Sequence, residues 1–314
     1  MSQDARLATQ LARCAQRVPY FYIADRLPPS RFRRYLQSYF EQKIRRAVGI
    51  SLSRESPQRG FAFLEEAPWD SDVFGLRSFR LEFPCAEHPA LLRSLVRKSE
   101  RAARVRDGNH LCTRLRGDDR LFSQLLERAG YLTVDNLSTF VQEPDALLPG
   151  YSRPRAIAID RCRETDLPAV LRIACTAFQN DRFHADPAIP ARRLARAYSS
   201  WVLNAFDKRI GGDLYVARVN KKVQGFLFLQ HDHEFRRQTG LGVSRIVLIA
   251  TARDAYSRGI GTALVCHAAR CARDDGSRLL LVGTQNQNIP AARLFIKSGF
   301  DLCGIEVTLS KSLE

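Results

Sequence analysis

The fold of this chain is decided by residues 246–264, which read IVLIATARDAYSRGIGTAL. An apolar run is followed by a short loop, and Gly259 and Gly261 then open a segment with helical spacing. The first amides of a helix lack intrahelical partners and carry the positive end of the helix dipole, so they can hold a pyrophosphate. Glycine also permits positive φ and a close approach of the main chain to a ligand. The pattern predicts a strand–loop–helix unit that binds a phosphorylated ligand, although a Gly-x-Gly turn alone is more often an ordinary connection.

A second motif follows the next predicted strand. Residues 286–300 read NQNIPAARLFIKSGF, in which Asn288 and Pro290 suit the start of a helix and Gly299 suits its end. Together the two motifs resemble the GNAT acyltransferase superfamily, whose members show a strand, Gln/Arg-x-x-Gly-x-Gly/Ala, a strand, and Asn-x-x-Ala-x-x-Leu-Tyr-x-x-x-Gly-Phe. The resemblance implies an α/β (α+β) mixed sheet of the GNAT acyl-CoA N-acyltransferase fold. We expect a smaller α/β domain before it.

The resemblance also implies acetyl-CoA as the acyl donor. Its diphosphate would bind at the glycine-containing helix start, and its pantetheine arm would lie along the strand as an added strand does. Asn288 would hydrogen-bond the cofactor, and Phe295 would lie beside the thioester sulfur. The cofactor-binding residues implied in this way are Ile249, Ala250, Thr251, Tyr256, Ser257, Arg258, Gly259, Ile260, Gly261, Thr262, Ala263, Asn288, Ala291 and Phe295.

The sequence departs from the family pattern at two positions. Tyr256 stands where relatives have Gln or Arg, which weakens one side-chain contact but leaves the main-chain amides. Phe295 stands where many relatives have a Tyr that protonates the leaving thiolate, and Phe has no proton to give. Either coenzyme A leaves as a thiolate or through water, another residue substitutes, or activity is lost.

Four further stretches are similar to GNAT enzymes that acetylate the amino group of a nucleotide-linked deoxysugar. They are PWDSDVFG at 68–75, AFQNDRFH at 177–184, YSSW at 198–201 and GTQNQN at 283–288. The likeness makes residues 181–190 a loop over the acceptor and implies the substrate residues Arg182, Phe183, His184 and Gln285. Arg182 would pair with a phosphate and Phe183 would stack on a base or sugar. A surface loop anchored by Phe183 is an equal alternative, and Trp69 with Phe74 is the pattern of a packing contact.

Amide formation needs an unprotonated amine, so a base is expected near the thioester. His231 and His233 follow a predicted central strand, and imidazole titrates in the useful range. They are the candidate catalytic residues, with His184 as a third. The alternative, favoured for paired histidines after a strand, is a solvated loop. Direct acyl transfer needs no protein nucleophile.

The amino-acid composition limits the classes of partner that the protein is expected to bind. The 314 residues carry 49 Lys and Arg against 33 Asp and Glu, a formal charge of +16, which attracts anions. Because the arginines are spread along the chain, we expect an anionic small molecule and no dedicated nucleic-acid site.

The eight cysteines show no CxxC pairing, so we expect no metal site and no disulfide framework. Neither a membrane span nor a signal peptide is recognisable, and we expect a cytoplasmic protein. A homodimer is left open.

The chain divides into four predicted regions. They are a helical extension at 1–60, a small α/β domain at 61–143 for which a degenerate GNAT-like unit is left open, a linker at 144–154, and the GNAT domain at 155–314. The extension holds helices at 4–17 and 30–48, the second with Ser30 as N-cap and with an aromatic stripe opposite a basic face. Such a helix either lies on a membrane or packs its stripe on the next domain, and packing is favoured.

Three hypotheses follow. The leading one is direct transfer of an acetyl group from acetyl-CoA to a primary amine on a nucleotide-linked amino sugar. The second keeps the cofactor and changes the acceptor to a protein or another small-molecule amine. The third is a non-catalytic module that binds coenzyme A or a partner, and Phe295 is its main support.

Overall fold

The computed structural model describes residues 3–14, 18–53, 60–85, 89–146, 154, 156–179 and 181–313. Its helices are α1 (Gln3–Cys14), α2 (Pro29–Arg46), α3 (Pro68–Phe74), α4 (Pro89–Arg104), α5 (Arg120–Arg128), α6 (Leu167–Ala177), α7 (Arg182–Ala185), α8 (Leu194–Phe206), α9 (His233–Thr239), α10 (Ile260–Asp274) and α11 (Ile289–Lys297). Its strands are β1 (Gly49–Ser53), β2 (Gly60–Glu66), β3 (Ser78–Cys85), β4 (His110–Arg116), β5 (Leu132–Gln142), β6 (Ile157–Arg161), β7 (Asp213–Val219), β8 (Lys222–His231), β9 (Val243–Thr251), β10 (Leu279–Gln285) and β11 (Asp301–Ser312).

Two compact units are present. The first unit comprises Met1–Leu137, Arg182–Ala191 and Gly304–Glu314, and the second comprises Ser138–Asp181 and Arg192–Cys303. Residues 182–191 and 304–314, which lie inside the predicted domain 155–314, are counted with the first unit.

In the first unit the strand order is β1-β2-β3-β4-β11. All neighbours are antiparallel except β3 and β4, which are parallel and joined through α4. One sheet face packs its apolar side chains on α4 and α5, with Phe79, Leu92 and Leu126 fully buried. On the other face, Leu36 and Phe40 of α2 pack with Phe63 of β2. This is the packing expected for the stripe of α2.

The start of α2 corrects a prediction. The helix begins at Pro29, the N-cap is Pro28, and no side chain caps it, so Ser30 is not the N-cap. The physical reason is that Pro at the first helical position has the required φ and lacks the N–H that a cap would satisfy.

In the second unit the strand order is β5-β10-β9-β8-β7-β6, to which β5 contributes residues 138–142. The hairpin of β7 and β8 turns at Asn220 and Lys221, which both have positive φ as a tight hairpin turn requires. β8 and β9 are antiparallel, and β9 and β10 are parallel, joined through α10. The core lies between the strands and helices α10 and α11, with Leu227, Leu264 and Leu280 fully buried.

The order of elements repeats along the chain. β1-β2-α3-β3-α4-β4-α5-β5 is followed by β7-β8-α9-β9-α10-β10-α11-β11, and the first four strands of each series pair antiparallel, antiparallel and parallel. The neighbour of β4 in the first unit is β11, the last strand of the second series. The expected mixed α/β sheet is therefore confirmed, in two copies of one plan.

Other sequence predictions meet the structure as follows. The predicted helices at 4–17 and 30–48 correspond to α1 and α2, although residues 15–17 lie outside the described residues. Within the predicted loop 181–190, residues Arg182–Ala185 form the short helix α7, and β1, β2, α3 and α9 are further additional elements. In the predicted linker, Pro144–Ala146 forms a 3₁₀ turn, whereas 147–153 lie outside the described residues. None of the six cysteines whose side chains are described is in a disulfide. None of the described helices combines the length and apolar character needed to cross a membrane, and the described residues contain no cluster of metal ligands.

Candidate functional site

The connection from β9 to α10 has the backbone that its sequence predicts. Ser257 and Gly259 have φ of 60° and 77°, and Gly259 is the N-cap of α10. A Cβ at position 259 would meet nothing within 4 Å, so this glycine is needed for its φ and not for space. At position 261 a Cβ would lie 3.0 Å from Leu294, which favours glycine for close packing of α10 on α11.

The first turn of α10 leaves its amides uncapped. No side chain caps the helix start, and the first main-chain bond into the helix runs from the N–H of Ala263 to the carbonyl of Gly259, at 2.9 Å. The N–H groups of residues 260–262 therefore have no helical acceptor. These amides fit the diphosphate of a coenzyme, because they present donors and the positive end of the dipole.

A cavity of about 140 Å³ lies beside this helix start. Its lining is Val219, Asn220, Lys222, Gln224, Ala255, Arg258 and Ile260. Lys222 and Arg258 supply positive charge, and the Oε1 atom of Gln224 is buried without a hydrogen-bond partner among the described residues. Of these lining residues, the sequence singled out Arg258 and Ile260 but not those of the hairpin. The second lysine of the turn, Lys222, was the signal in the sequence that could have identified this lining. The pairing of β8 with β9 is what places Lys222 beside the start of α10.

The two central parallel strands separate part of the way along their length. β9 pairs with β10 from Val243–Leu279 to Ile246–Val282, although both strands continue beyond that point. On its other side β9 has a bulge against β8, where the register moves from Leu248 to Ile246 and skips Val247. The main chain of Val247 thus has no ladder partner in β8 or β10. On the side of β10, β9 from Val247 to Thr251 therefore has no ladder partner, and this unpaired stretch between the two strands is called the gap.

Helix α11 begins as the motif predicts. The side chain of its N-cap Asn288 accepts a hydrogen bond from the N–H of Ala291 at 3.3 Å. Phe295 is 1% exposed and packs against Phe140 and Phe300, with ring centroids 5.8 and 5.9 Å apart. The aromatic ring that replaces the family's Tyr is therefore a core residue. By contrast, Tyr256, at the other departure, is 55% exposed.

The candidate bases lie at the other end of β9. His231 pairs with Ser244 across the β8–β9 ladder, and its Nδ1 lies 2.7 Å from the Ser244 Oγ. Ser244 is three residues from Val247, about 10 Å along a strand, and seven residues from Thr251, roughly 23 Å. His231 is thus nearer to the bulge than to the phosphate-binding loop. His233 is the first residue of α9, and its side chain is 63% exposed.

A buried polar network holds His231. Its Nδ1 lies 3.4 Å from Oδ2 of Asp275, the Ser244 Oγ donates to the Ser277 Oγ at 2.7 Å, and Arg236 pairs with Asp275. Burial lowers the pKa of His231, against the opposing charge of Asp275. The imidazole is therefore neutral near pH 7, as a base must be, but reaching an amine at the bulge needs an intervening water.

The predicted substrate residues are divided between the two units. Arg182 donates to both carboxylate oxygens of Asp70, at 2.9 and 3.0 Å, and Asp70 is 3% exposed. Burial opposes the charge of Arg182, but Asp70 raises its pKa above the usual value. Phe183 is buried between Trp69 and Phe74, at 5.7 and 4.8 Å. The segment is thus anchored within the first unit.

The remaining two substrate candidates are accessible. His184 is exposed on α7 in the first unit. Gln285 is half-buried at the end of β10 in the second unit, and its carbonyl accepts from the N–H of Asn288 at 2.9 Å. Of the substrate candidates, Gln285 alone lies on a strand that borders the gap.

Comparisons with known proteins agree with this geometry. Residues 168–300 match the model of the acetyltransferase (GNAT) family. The dTDP-fucosamine acetyltransferase of Escherichia coli O6:H1 is 30% identical over 138 residues, which are 44% of this chain and 55% of that protein. The chain thus spans about half the length of this relative.

Solved structures share the fold. A GCN5-related N-acetyltransferase from Sphaerobacter thermophilus superposes with a TM-score of 0.58 at 16% identity, over 81% of this chain and 77% of that chain. A tandem GNAT protein from the clavulanic acid biosynthesis pathway superposes with a TM-score of 0.58 at 12% identity, over 99% of this chain and 94% of that chain. At these identities the likeness concerns the fold.

Proposed function

Since residues 168–300 match the model of the acetyltransferase (GNAT) family, we propose that this protein transfers an acetyl group from acetyl-CoA directly to the primary amine of an amino sugar carried by a nucleotide. The observation that carries the proposal is the separation of β9 from β10 after Ile246, next to the uncapped start of α10. A gap between parallel strands with free donors at its mouth accommodates an extended arm that ends in phosphates.

Two groups of residues bind the two parts of acetyl-CoA. The amides of residues 260–262, with Lys222 and Arg258 beside them, hold the diphosphate. The unpaired edge of β9 from Val247 to Thr251 takes the pantetheine arm as an added strand. Acetyl-CoA, when bound, supplies an acetyl group activated as a thioester.

Catalysis depends on the relative positions of the amine and the thioester and on one main-chain hydrogen-bond donor. The N–H of Val247, which the bulge releases from both ladders, polarises the thioester carbonyl. Holding amine and carbonyl in near-attack geometry supplies most of the rate. His231 takes the proton of the amine through a water, since its pKa is lowered. Phe295 supplies no proton, so the thiolate leaves unassisted or is protonated by water.

The choice of acceptor rests on the 30% identity to an enzyme named for dTDP-fucosamine, and on the charge of +16, which favours anionic ligands. A protein amine or another small amine is the alternative within the same chemistry. The buried, donor-free Phe295 favours a third reading, a module that binds coenzyme A without turnover.

Two measurements test the proposal in sequence. Calorimetric titration with acetyl-CoA is expected to give one site per chain. Release of coenzyme A thiol is then followed with a panel of dTDP- and UDP-linked amino sugars, a lysine-containing peptide and a simple amine. Turnover confined to the nucleotide sugars supports the acceptor proposed. Binding of acetyl-CoA without turnover of any amine supports the non-catalytic module. If acetyl-CoA does not bind, the proposal that it is the acyl donor is overturned as well.

A further inference from the structure

The outer face of α4 carries charge of one sign. Leu92 and Leu95 of this helix are buried in the core of the first unit, so the opposite side of the helix faces outward. The charged side chains exposed on that side are all basic, namely Arg93, Arg97, Lys98, Arg101 and Arg104. The single acid of α4, Glu100, is 9% exposed and accepts a hydrogen bond from Lys311 at 2.8 Å.

Three of these arginines form a regular row. Arg93, Arg97 and Arg101 follow one another at intervals of four residues, which places them about 6 Å apart on one side of the helix. The N–H of Val105 donates to the carbonyl of Arg101 at 3.0 Å, so Val105 continues the row by one further turn. Val105 is 74% exposed. The row thus ends in an exposed apolar side chain, about 18 Å from its first arginine.

The fold does not neutralise this row. Arg93, Arg97 and Arg101 make neither a hydrogen bond nor an ion pair within the part of the chain that the structure describes. Like charges four residues apart destabilise a helix. The helix dipole does not account for the row either, because Arg93 lies near the positive end of α4. Such a row is suited to an anion outside the fold.

The equivalent helix of the second unit has a different surface. α4 joins the parallel strands β3 and β4 as α10 joins β9 and β10. The charged side chains that α10 exposes are Arg273 and Asp274, one of each sign, at its end. α10 begins after Gly259, whereas residues 85–89 before α4 read CAEHP and contain no glycine. Since both helices belong to one arginine-rich chain, composition alone does not explain the row.

The surroundings of the row favour a lipid surface over a nucleic acid. Val105 would stay in water beside a phosphate backbone, whereas a bilayer accepts an apolar side chain at its headgroup boundary. The exposed residues of α4 include no aromatic ring on which a base could stack. Helix α5, which covers the same sheet face, exposes Arg120, Arg128 and Glu127 and so adds net positive charge to the layer.

We propose that the outer face of α4 binds the anionic headgroups of a phospholipid bilayer. Arg93, Arg97 and Arg101 contact the phosphates, and Val105 inserts between the headgroups. The helix lies in the plane of the surface while its apolar side stays packed in the first unit, so binding requires no unfolding. Such binding is reversible and weakens with salt. The inference does not depend on the proposed acetyl transfer.

The test is cosedimentation of the full chain with vesicles of phosphatidylcholine, either alone or mixed with phosphatidylglycerol. The wild type is expected to bind the mixed vesicles only, and added salt should weaken that binding. Each basic residue near an anionic surface raises the affinity roughly fivefold, so the combined variant Arg93→Gln, Arg97→Gln and Arg101→Gln should bind about a hundredfold more weakly. Val105→Ser should weaken binding several-fold and leave its salt dependence unchanged.

Two further combined variants serve as controls. Replacing Arg93, Arg97 and Arg101 by Lys keeps the charge of the row and should retain most of the binding to the mixed vesicles. The variant Arg33→Gln, Arg34→Gln and Arg45→Gln removes three charges from exposed positions of α2, and it should bind as the wild type does. The two glutamine variants have the same net charge, so a difference between them locates the binding surface.

Four results would overturn the proposal. They are absence of binding to the mixed vesicles, loss of binding in the lysine variant, equal weakening by the two glutamine variants, and a preference for nucleic acid. Equal weakening would assign the attraction to the net charge of +16 instead of to α4. Tighter binding of a duplex oligonucleotide than of the vesicles, lost in the α4 glutamine variant alone, would assign the face to nucleic acid.

Discussion

Ile246 and Val282 form the last pair of the parallel ladder between β9 and β10, and beyond them the two strands separate. The next residue, Val247, is skipped by the antiparallel ladder with β8 as well. One position of a central strand is thus free of both neighbours, at the inner end of a gap whose outer end is the uncapped start of α10.

The φ of Gly259 is tested by Gly259→Val, with Gly276→Val as the matched control. Both glycines have φ near 77°, and a Cβ at either meets nothing within 4 Å. A left-handed conformation costs a residue with a Cβ about 1–2 kcal/mol, so both variants should lose similar stability. Only Gly259 lies at the start of α10. We expect Gly259→Val to weaken acetyl-CoA binding roughly tenfold by calorimetry, which corresponds to ~1.4 kcal/mol. Equal affinities of the two variants would contradict the assignment of the phosphate site.

Phe295→Tyr restores the family residue in a position that is a core site here. Phe295 is 1% exposed and contacts Phe140 and Phe300. A buried hydroxyl without a partner costs about 1–3 kcal/mol, so the variant should melt at a lower temperature without a gain in kcat. Phe300→Tyr, at a neighbouring buried ring, is the control for the added hydroxyl. A stable Phe295→Tyr enzyme with raised kcat would show that the hydroxyl reaches the leaving sulfur.

Asp70→Asn breaks the anchor of α7. Asp70 and Arg182 form a two-bond pair with side chains 4% and 18% exposed, so removing one partner leaves a largely buried cation. Such a loss typically costs about 3–5 kcal/mol. Asp118→Asn, in the exposed pair with Arg116, should cost less than about 1 kcal/mol. Urea denaturation of both variants measures the difference, and similar midpoints would show that the buried pair contributes no more than the exposed one.

The pH dependence of stability follows from the lowered pKa of His231. Burial disfavours its charged form in the folded state, so the stability that neutral His231 provides is complete above its unfolded pKa of about 6.5. It is lost as pH falls through the lower folded pKa. His231→Gln should therefore flatten the fall of Tm between about pH 6.5 and pH 5 relative to the wild type. His233→Gln, at a side chain that is mostly exposed, is the control and should leave the fall of Tm as it is in the wild type. A parallel fall in wild type and His231→Gln would contradict the cause given for the shift.

The sequence was informative where structure is local. The start of α10 at Gly259 and the cap of α11 at Asn288 depend on residues within one helical turn, and both were predicted correctly. The turn of the β7–β8 hairpin at Asn220 and Lys221 is also local, since both residues have positive φ. Short elements without strong periodicity, such as β1 and α9, were missed because tertiary contacts stabilise them.

Local sequence is enough to specify the strand–glycine–helix unit and the helix that follows Asn288, because caps and turns are set by neighbouring residues. Long-range packing, by contrast, binds Arg182 to Asp70, 112 positions away, and makes Phe295 a core ring. It also decided that β4 pairs with β11, with Arg114 opposite Thr308. These contacts join segments that are distant in the chain. They are selected by the burial of whole sheet faces, which no local sequence pattern encodes.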